Sequence, residues 1–192
     1  DTSLPDILLI GNSISIGYTP AVQEELNGTA NVYRIPENGG DTNNGLKRID
    51  FWLNNKNWDV IHFNWGLHDL KRTIIGKLDR KGANKNSFVD FSTNLKALIV
   101  KMEKTGAKLI WASITFIPTT AKGRVRGDEI LYNNAALEIW GNHPQIEMND
   151  LYSVSFRNQE YQRLGHVHFY PEGIHILGKH TASIIHKILE KK

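Results

Sequence analysis

The sequence predicts an α/β fold with three layers, an α/β/α sandwich, and three observations support this. Strand-like and helix-like segments alternate five times along the 192 residues. The predicted strands are apolar on both faces, which is typical of a parallel sheet covered by helices on both sides. Neither an internal repeat nor a linker interrupts the pattern, so residues 1–192 are expected to form one domain.

The five predicted strands are short apolar runs. In chain order they are "DILLIG", "ANVYRI", "WDVIHFNWG", "AKLIWASIT" and the short "IEMND". Parallel sheets bind their ligands beyond the carboxyl ends of the strands. This rule selects "GNSIS", "ENGGDT" and "NWGLHD", which follow the first three strands, and the loop before the last helix, which contains "GHVHFYPEG".

The predicted helices are "YTPAVQEELNG", "NNGLKRIDFWLNN", "SFVDFSTNLKALIVKMEKTG", "GDEILYNNAALEIWGN" and a closing helix that starts at Glu172. In the first, Thr19 is expected to be the N-cap and Pro20 to lie in the first turn. The third shows the clearest helical period, with apolar residues at Phe88, Phe91, Leu95, Leu98, Ile99 and Met102. A polar loop is expected at about residues 70–86.

Composition excludes several classes of function. Hydrophobic residues make up 40% of the chain, yet no apolar run approaches the roughly 20 residues of a membrane span. The net charge is only +3 and the basic residues are dispersed, so we expect no nucleic-acid partner. The chain has no cysteine, which excludes thiol catalysis, disulfides and cysteine metal sites.

Four residues at the predicted sheet edge can carry chemistry. Ser13 can present a hydroxyl near a helix N-terminus, and Gly40 can present a bare backbone N–H. His68 can donate an N–H to an oxyanion, and His168 can deprotonate Ser13. Each residue also has an ordinary explanation as a helix cap, a turn glycine or a loop histidine. Their occurrence in order at one sheet edge favours a catalytic interpretation.

On the motifs "GNSI", "ENGGDT", "HFNWGLHD" and "HVHFYPEG", the chain resembles the SGNH/GDSL hydrolases, especially a bacterial branch with a GLHD third block and a VHF-PEG final block. The resemblance covers nearly the whole chain. It implies a flavodoxin-like five-stranded parallel sheet and a serine esterase or thioesterase mechanism without metal or other cofactor. It also implies that Ser13 is the nucleophile and His168 the general base. The oxyanion donors would be the N–H groups of Ser13 and Gly40 and the side chain of His68.

Three positions depart from the family pattern. Asn12 replaces the aspartate of the first block, and His68 replaces the asparagine of the third, which makes that donor sensitive to pH. In this branch the acid precedes the base by two or three residues, but those positions hold Gly165 and His166. Without a carboxylate, nothing obvious orients the His168 ring or stabilises its charged form.

Four substitutes for the acid remain open at this point. A backbone carbonyl can accept the Nδ1 proton of His168, which would leave a Ser–His dyad, and this is the version we favour. Glu172 can turn toward the ring, Asp150 can reach it from a distance, or His166 can take part itself.

The sequence also offers candidate contacts and competing interpretations. Candidate substrate contacts are Asn12, Trp65, Asp69, Tyr170 and Glu172. A metal held by His166, His168 and His68 is less well supported than a hydrolase site. Arg124 and Arg126 can meet an anionic substrate such as a uronate or a sulfated glycan, although a solvated loop is the simpler interpretation.

The preferred hypothesis is an esterase that removes a small acyl group, above all acetyl, from a small-molecule or oligosaccharide ester. One alternative is a degenerate domain that binds a glycan without turnover, and another is a different glycan-cleaving chemistry at the histidine-rich site. The start at Asp1 and the habit of the family favour a periplasmic or secreted location.

Overall fold

A parallel sheet organises the structure, a computed structural model that describes residues 2–191. Within these residues the elements follow in the order β1 (Asp6–Ile10), α1 (Ser13–Glu25), β2 (Asn31–Arg34), α2 (Thr42–Leu53), β3 (Val60–Phe63), β4 (Thr73–Ile74), β5 (Lys77–Leu78), α3 (Phe88–Glu103), β6 (Lys108–Ala112), α4 (Asp128–Trp140), β7 (Glu147–Asn149), α5 (Leu151–Arg157), a 3₁₀ turn (Gln159–Tyr161) and α6 (Pro171–Glu190).

The main sheet has the strand order β2-β1-β3-β6-β7, and every neighbouring pair is parallel. This is the flavodoxin-like order, so the predicted fold class is confirmed. The order changes direction between β1 and β3. Ligands of such sheets bind at that point, beyond the carboxyl ends of the strands.

Both faces of the sheet are buried at its central strands, as the apolar sequences of these strands predict. Ile7, Leu8, Leu9 and Ile10 of β1 are at most 2% exposed, and all four residues of β3 are buried. Helices α1 and α5 pack against α6, whereas α2 and α4 pack against α3. These two groups of helices supply the outer layers of the sandwich.

The third predicted helix is α3, and its apolar residues from Phe91 to Met102 form its buried face. Phe88 differs from the prediction because it is 46% exposed. It is the first residue of the helix, where it lies edge-on to Tyr132 with a ring-centroid distance of 5.8 Å. The helical period therefore predicted the buried face of α3 correctly from Phe91 onward but wrongly included Phe88.

The first helix begins earlier than predicted. Asn12, not Thr19, is the N-cap of α1, and Pro20 lies inside the helix. The Thr19 hydroxyl donates to the Ser15 carbonyl at 2.6 Å and so makes a bond within the helix instead of capping it. Two side chains could cap this helix, and the extended backbone at Asn12 selects the earlier one.

Two predicted loops contain short regular elements. The polar loop at residues 70–86 carries the antiparallel pair β4 and β5. The segment after β7 forms α5, which Asp150 caps by accepting from the Ser153 N–H at 3.0 Å. None of the helices within residues 2–191 is both long and apolar enough to span a bilayer.

Candidate active site

Loops at the carboxyl ends of the first three strands bring the predicted site residues together. Ser13 follows β1, Gly40 follows β2 and His68 follows β3. The Gly39 N–H donates to the Gly11 carbonyl at 2.9 Å, so the second of these loops touches the first. Parallel strands end at one edge of their sheet, which is why residues far apart in sequence meet there.

Ser13 is the first residue of α1, and its hydroxyl faces His168. The Asn12 side chain accepts the N–H of Ile14 at 2.9 Å and caps the helix, which leaves the Ser13 hydroxyl without a capping role. Ser13 Oγ lies 2.8 Å from Nε2 of His168. The helix dipole favours negative charge at this end of α1. This geometry matches that of a nucleophile and its base.

The environment of His168 keeps its ring neutral near pH 7. Burial lowers the pKa of the imidazole, and the basic side chains of His166, Arg163 and Arg124 lower it further. A neutral ring can accept the Ser13 proton at Nε2 if its own proton is on Nδ1. The Arg163 N–H donates to the His168 carbonyl at 2.8 Å, which holds the backbone that carries the ring.

Within residues 2–191, no carboxylate hydrogen-bonds to His168 in place of the absent acid. His166 is exposed, and its ring centroid lies 6.1 Å from that of His168 rather than between His168 and Ser13. Within residues 2–191, Nδ1 of His168 makes no hydrogen bond and is accessible to solvent. The preferred expectation of a backbone-carbonyl acceptor is therefore wrong.

The two candidate carboxylates also lie elsewhere. Asp150 is engaged as the cap of α5, and it accepts a further bond from the Ser113 hydroxyl at 3.3 Å. Glu172 is an exposed residue in the first turn of α6. Neither is among the groups that shift the pKa of His168. Both expectations are corrected, since neither side chain is placed to orient the ring.

Gly40 adopts a backbone conformation that favours glycine, and its N–H has a partner. Its φ of +64° lies in the left-handed region, and an added Cβ would press on Asn44 at 3.2 Å. The Gly40 N–H donates to the Asn38 side chain at 3.0 Å. Asn38 is exposed, so a substrate oxygen can take its place without opening the core.

His68 is a neutral donor at this edge. Burial lowers its pKa to about 4, helped by Arg124 and Lys71, while Asp41 acts in the opposite direction. A neutral imidazole keeps one N–H. The pH sensitivity that the sequence led us to expect therefore falls well below neutral pH.

Three of the candidate substrate contacts are buried in the protein. Asn12, Trp65 and Asp69 are at most 1% exposed. Asn12 caps α1, and Trp65 packs beneath Gly45 of α2. These side chains cannot touch a substrate, so those expectations are corrected. The remaining two, Tyr170 and Glu172, are exposed next to the His168 segment.

Asp69 joins two of the loops that form the site. Its carboxylate accepts the Thr42 hydroxyl at 2.6 Å, the Thr42 N–H at 3.1 Å and the Asn86 side chain at 2.7 Å. Thr42 starts α2 directly after the Gly40 loop, and His68 precedes Asp69. The carboxylate thus fixes the loop of His68 against the loop of Gly40.

Sequence reasoning missed Arg34, which braces the Ser13 loop. Its Nη2 donates to the Gly11 carbonyl at 3.0 Å and to Ser15 Oγ at 3.3 Å. Its Nη1 donates to the carbonyls of Ile35 and Glu37 at 2.6 and 2.9 Å. The available signal was an arginine at the end of a strand, directly before the "IPENGGDT" loop.

Arg124 is the second residue that the sequence misplaced. The simpler interpretation put it in a solvated loop, but it is only 7% exposed. Its Nε donates to the Leu67 carbonyl at 2.6 Å, and Nη1 donates to the Gly123 carbonyl at 3.1 Å. Leu67 directly precedes His68, so the guanidinium lies beside the predicted oxyanion donor. Arg126 is exposed, as a loop residue should be.

The rings of His166 and His168, the core of the alternative metal site, are tilted by 48° to each other. His168 Nε2 is already bonded to Ser13. In the part of the chain from Thr2 to Lys191, no group of three or more His, Cys, Asp or Glu residues is placed to hold a metal ion.

Known structures share this architecture. A lipase/acylhydrolase from Enterococcus faecalis matches with a TM-score of 0.79 and 19% identity, over 96% of this chain and 97% of the other. An acetylxylan esterase from Geobacillus stearothermophilus matches with a TM-score of 0.75 and 13% identity, over 94% of each chain. A GDSL-like lipase from Bacteroides thetaiotaomicron matches with a TM-score of 0.68 and 15% identity, over 100% of this chain and 90% of the other.

The chain resembles known proteins in its structure but not detectably in its sequence as a whole. No protein-family model matches it, and no curated protein matches it either. At identities below one fifth, the structural matches establish the fold rather than the activity. The chain therefore has the fold of the SGNH/GDSL hydrolases, as the motif resemblance implied.

Proposed function

We propose that this protein is a serine esterase that removes small acyl groups, above all acetyl, from a carbohydrate. The observation that carries the proposal is the 2.8 Å contact between Ser13 Oγ and His168 Nε2. A serine hydroxyl becomes an effective nucleophile when a neighbouring base can take its proton. The two residues are 155 positions apart in sequence, so local chain geometry does not account for their contact.

In the proposed mechanism, Nε2 of His168 takes the Ser13 proton as Oγ attacks the ester carbonyl. The oxyanion of the tetrahedral intermediate accepts hydrogen bonds from the Ser13 N–H, the His68 ring and the Gly40 N–H, which Asn38 releases. Collapse of the intermediate expels the sugar hydroxyl, which takes its proton from His168, and leaves an acyl-enzyme. His168 then takes a proton from a water molecule that attacks the acyl-enzyme. It returns this proton to Ser13 Oγ as the carboxylic acid is released.

The position that should hold the triad acid is occupied by His166, and this predicts a slow enzyme. In serine proteases, loss of the orienting carboxylate lowers kcat by about 10⁴. Within the described residues, Nδ1 of His168 has no hydrogen-bond partner and no acid acts on the ring, so nothing there stabilises the imidazolium that forms during attack. We therefore expect measurable but weak turnover of a simple ester.

The carbohydrate part of the proposal rests on the rim of the site and on one of the structural matches. Tyr170 is 47% exposed and directly precedes α6, two residues after His168. Exposed aromatic faces of this kind suit the apolar face of a sugar ring. Among the solved structures with this fold is an acetylxylan esterase.

Hydrolysis of p-nitrophenyl acetate between pH 6 and 9 tests the reaction class. We expect slow turnover by the wild type, none by Ser13→Ala, and faster turnover by His166→Asp, which returns a carboxylate to the acid position. His186→Asp makes the same chemical change on the exposed surface of α6 and should leave the rate unchanged. If Ser13→Ala keeps the wild-type rate, Ser13 is not the nucleophile and the proposal fails.

One observation favours a second candidate, a domain that binds a glycan without turning it over. Among residues 2–191, His168 has no carboxylate partner of the kind that a working triad uses. The same experiment separates the two candidates. A silent wild type with an active His166→Asp variant would indicate that the site is assembled but idle toward esters, and binding would become the preferred function.

A further inference from the structure

The surroundings of the Ser13–His168 pair are basic. Besides burial, the groups that lower the pKa of His168 are the basic side chains of His166, Arg163 and Arg124, and no acid of residues 2–191 opposes them. Proton transfer from Ser13 would create an imidazolium in this environment, where nearby positive charge makes it less stable. The described part of the chain thus supplies no negative charge beside His168, where catalysis requires one.

Arg124 is the most deeply buried of these basic neighbours. Two of its nitrogens donate to carbonyl oxygens, at 2.6 Å to Leu67 and 3.1 Å to Gly123. Within residues 2–191, no carboxylate lies within 4 Å of the guanidinium, and its Nη2 has no hydrogen-bond partner although it is accessible to solvent. The carbonyl bonds fix the plane of the guanidinium and leave one nitrogen free for a ligand.

A buried guanidinium without an acidic partner is an unusual arrangement. Removing its charge from water costs several kcal/mol unless an anion compensates. The N–H groups of a guanidinium also form strong, charge-assisted hydrogen bonds to carboxylate or sulfate oxygens, and Nη2 is the nitrogen left to form them here. Backbone carbonyls satisfy part of this capacity, but they carry no net charge.

We propose that Arg124 binds an anionic group, a carboxylate or a sulfate, on the sugar that carries the ester. The inference rests on the proposed function, because it names the class of substrate for the same site. An anion bound to Arg124 would lie close to the guanidinium and would act on His168 with a charge of the opposite sign. The substrate itself would then supply part of the negative charge that the triad lacks.

Matched substrates test this inference by kinetics. The pair is methyl O-acetyl-β-D-glucuronide and methyl O-acetyl-β-D-glucoside, acetylated at the same hydroxyl and differing only in the carboxylate. We expect the wild type to prefer the glucuronide by about tenfold or more in kcat/KM. Arg124→Gln should abolish the preference, and Arg126→Gln, the same change on an exposed arginine of the same loop, should preserve it.

Binding measurements separate this inference from the proposed function. Calorimetric titration with methyl β-D-glucuronide and with methyl β-D-glucoside 6-sulfate requires no turnover and distinguishes a carboxylate ligand from a sulfate ligand. We expect one of the two anions to bind the wild type and Arg126→Gln about tenfold or more tightly than Arg124→Gln. Anion binding that depends on Arg124, with no ester hydrolysis, would overturn the esterase and retain the anion site.

The converse result would overturn the inference alone. Ester hydrolysis with equal kcat/KM for the glucuronide and the glucoside, together with no binding of either anion, would show that Arg124 does not select the substrate. If Arg124→Gln fails to fold, the two wild-type comparisons still decide, because each needs only the intact chain. Arg124→Lys keeps the positive charge but loses the planar set of guanidinium N–H donors, so we expect an intermediate anion affinity.

Discussion

Arg34 and Gly11 join two loops of the candidate site. Arg34 Nη2 donates to the Gly11 carbonyl at 3.0 Å, and the Gly39 N–H donates to the same oxygen at 2.9 Å. Arg34 ends β2, so its guanidinium connects that strand to the loop that carries Ser13. The location of the proposed nucleophile therefore depends on contacts from outside its own loop.

Arg34→Lys should lower kcat more than it changes KM. A lysine keeps the charge, but one ammonium cannot hold the carbonyls of Gly11, Ile35 and Glu37 together. Small displacements of a reacting group cost up to about 100-fold in rate, so we expect a loss of about tenfold or more in kcat. Steady-state kinetics with p-nitrophenyl acetate measure it. Arg48→Lys, a partly exposed arginine paired with Glu37, is the control and should retain the wild-type rate.

Gly39→Ala should also reduce activity. A Cβ at this position would lie 2.8 Å from the Gly11 carbonyl oxygen, which is closer than van der Waals contact permits. The loop of Gly40 must then move away from the loop of Ser13, and the distance between two proposed oxyanion donors changes. We expect kcat to fall by about tenfold or more. Gly141→Ala is the control, because Gly141 has helical φ and its nearest neighbour to an added Cβ is 3.5 Å away.

Asp69→Ala should destabilise the fold. The substitution leaves the buried donors of Thr42 and Asn86 without their acceptor, which should lower the free energy of unfolding by about 3 kcal/mol. Urea titration followed by fluorescence measures the change. Asp50→Ala removes a carboxylate whose side chain is 76% exposed in its pair with Lys101, and it should cost less than about 1 kcal/mol. Equal losses in the two variants would contradict the structural role of Asp69.

Stability should decline in mild acid because of His62. Burial lowers the pKa of this fully buried imidazole to about 4, whereas an unfolded chain has a histidine pKa near 6.5. Between these values the unfolded chain binds a proton that the folded chain does not. The free energy of unfolding should therefore fall by about 3 kcal/mol from this residue as pH drops from 6.5 to 4.

Urea unfolding at several pH values tests the contribution of His62. His62→Gln removes the titrating group, so its stability should depend less steeply on pH than that of the wild type. His186→Gln changes an exposed histidine of α6 and should leave the slope unaltered. Because His68 titrates over the same range, a residual slope in His62→Gln is expected. An unchanged slope in that variant would rule out the proposed role of His62.

Local patterns were enough to predict the layered fold. Apolar runs such as Ile7–Ile10 can be buried on both faces only in a covered sheet, and the period of α3 identified its inner face. Strand ends in a parallel sheet share one edge, so the placement of Ser13, Gly40 and His68 after the first three strands could be predicted without coordinates. These inferences needed only neighbouring residues and one topological rule.

Charged and capping residues were harder to place. The predicted cap of α1 was Thr19, whereas the path of the chain after β1 makes Asn12 the cap. Asp69 looked like a site residue because it follows His68, but its partners, Thr42 and Asn86, come from distant segments. Propensity carries no information about such partners.

By itself, the sequence determined the strands and the helices, because hydrophobic burial acts on local patterns. It also determined that the site residues follow the ends of parallel strands or precede the last helix, in the order Ser13, Gly40, His68 and His168. Only the tertiary structure decided which polar groups face one another. It brought Ser13 Oγ to within 2.8 Å of His168 Nε2 and buried Arg124. Among the described residues, it also left Nδ1 of His168 without an acceptor and Arg124 without an acidic partner. The physical reason is that hydrogen bonds and charge interactions act over a few ångströms, and chain folding sets those distances between residues that are remote in sequence.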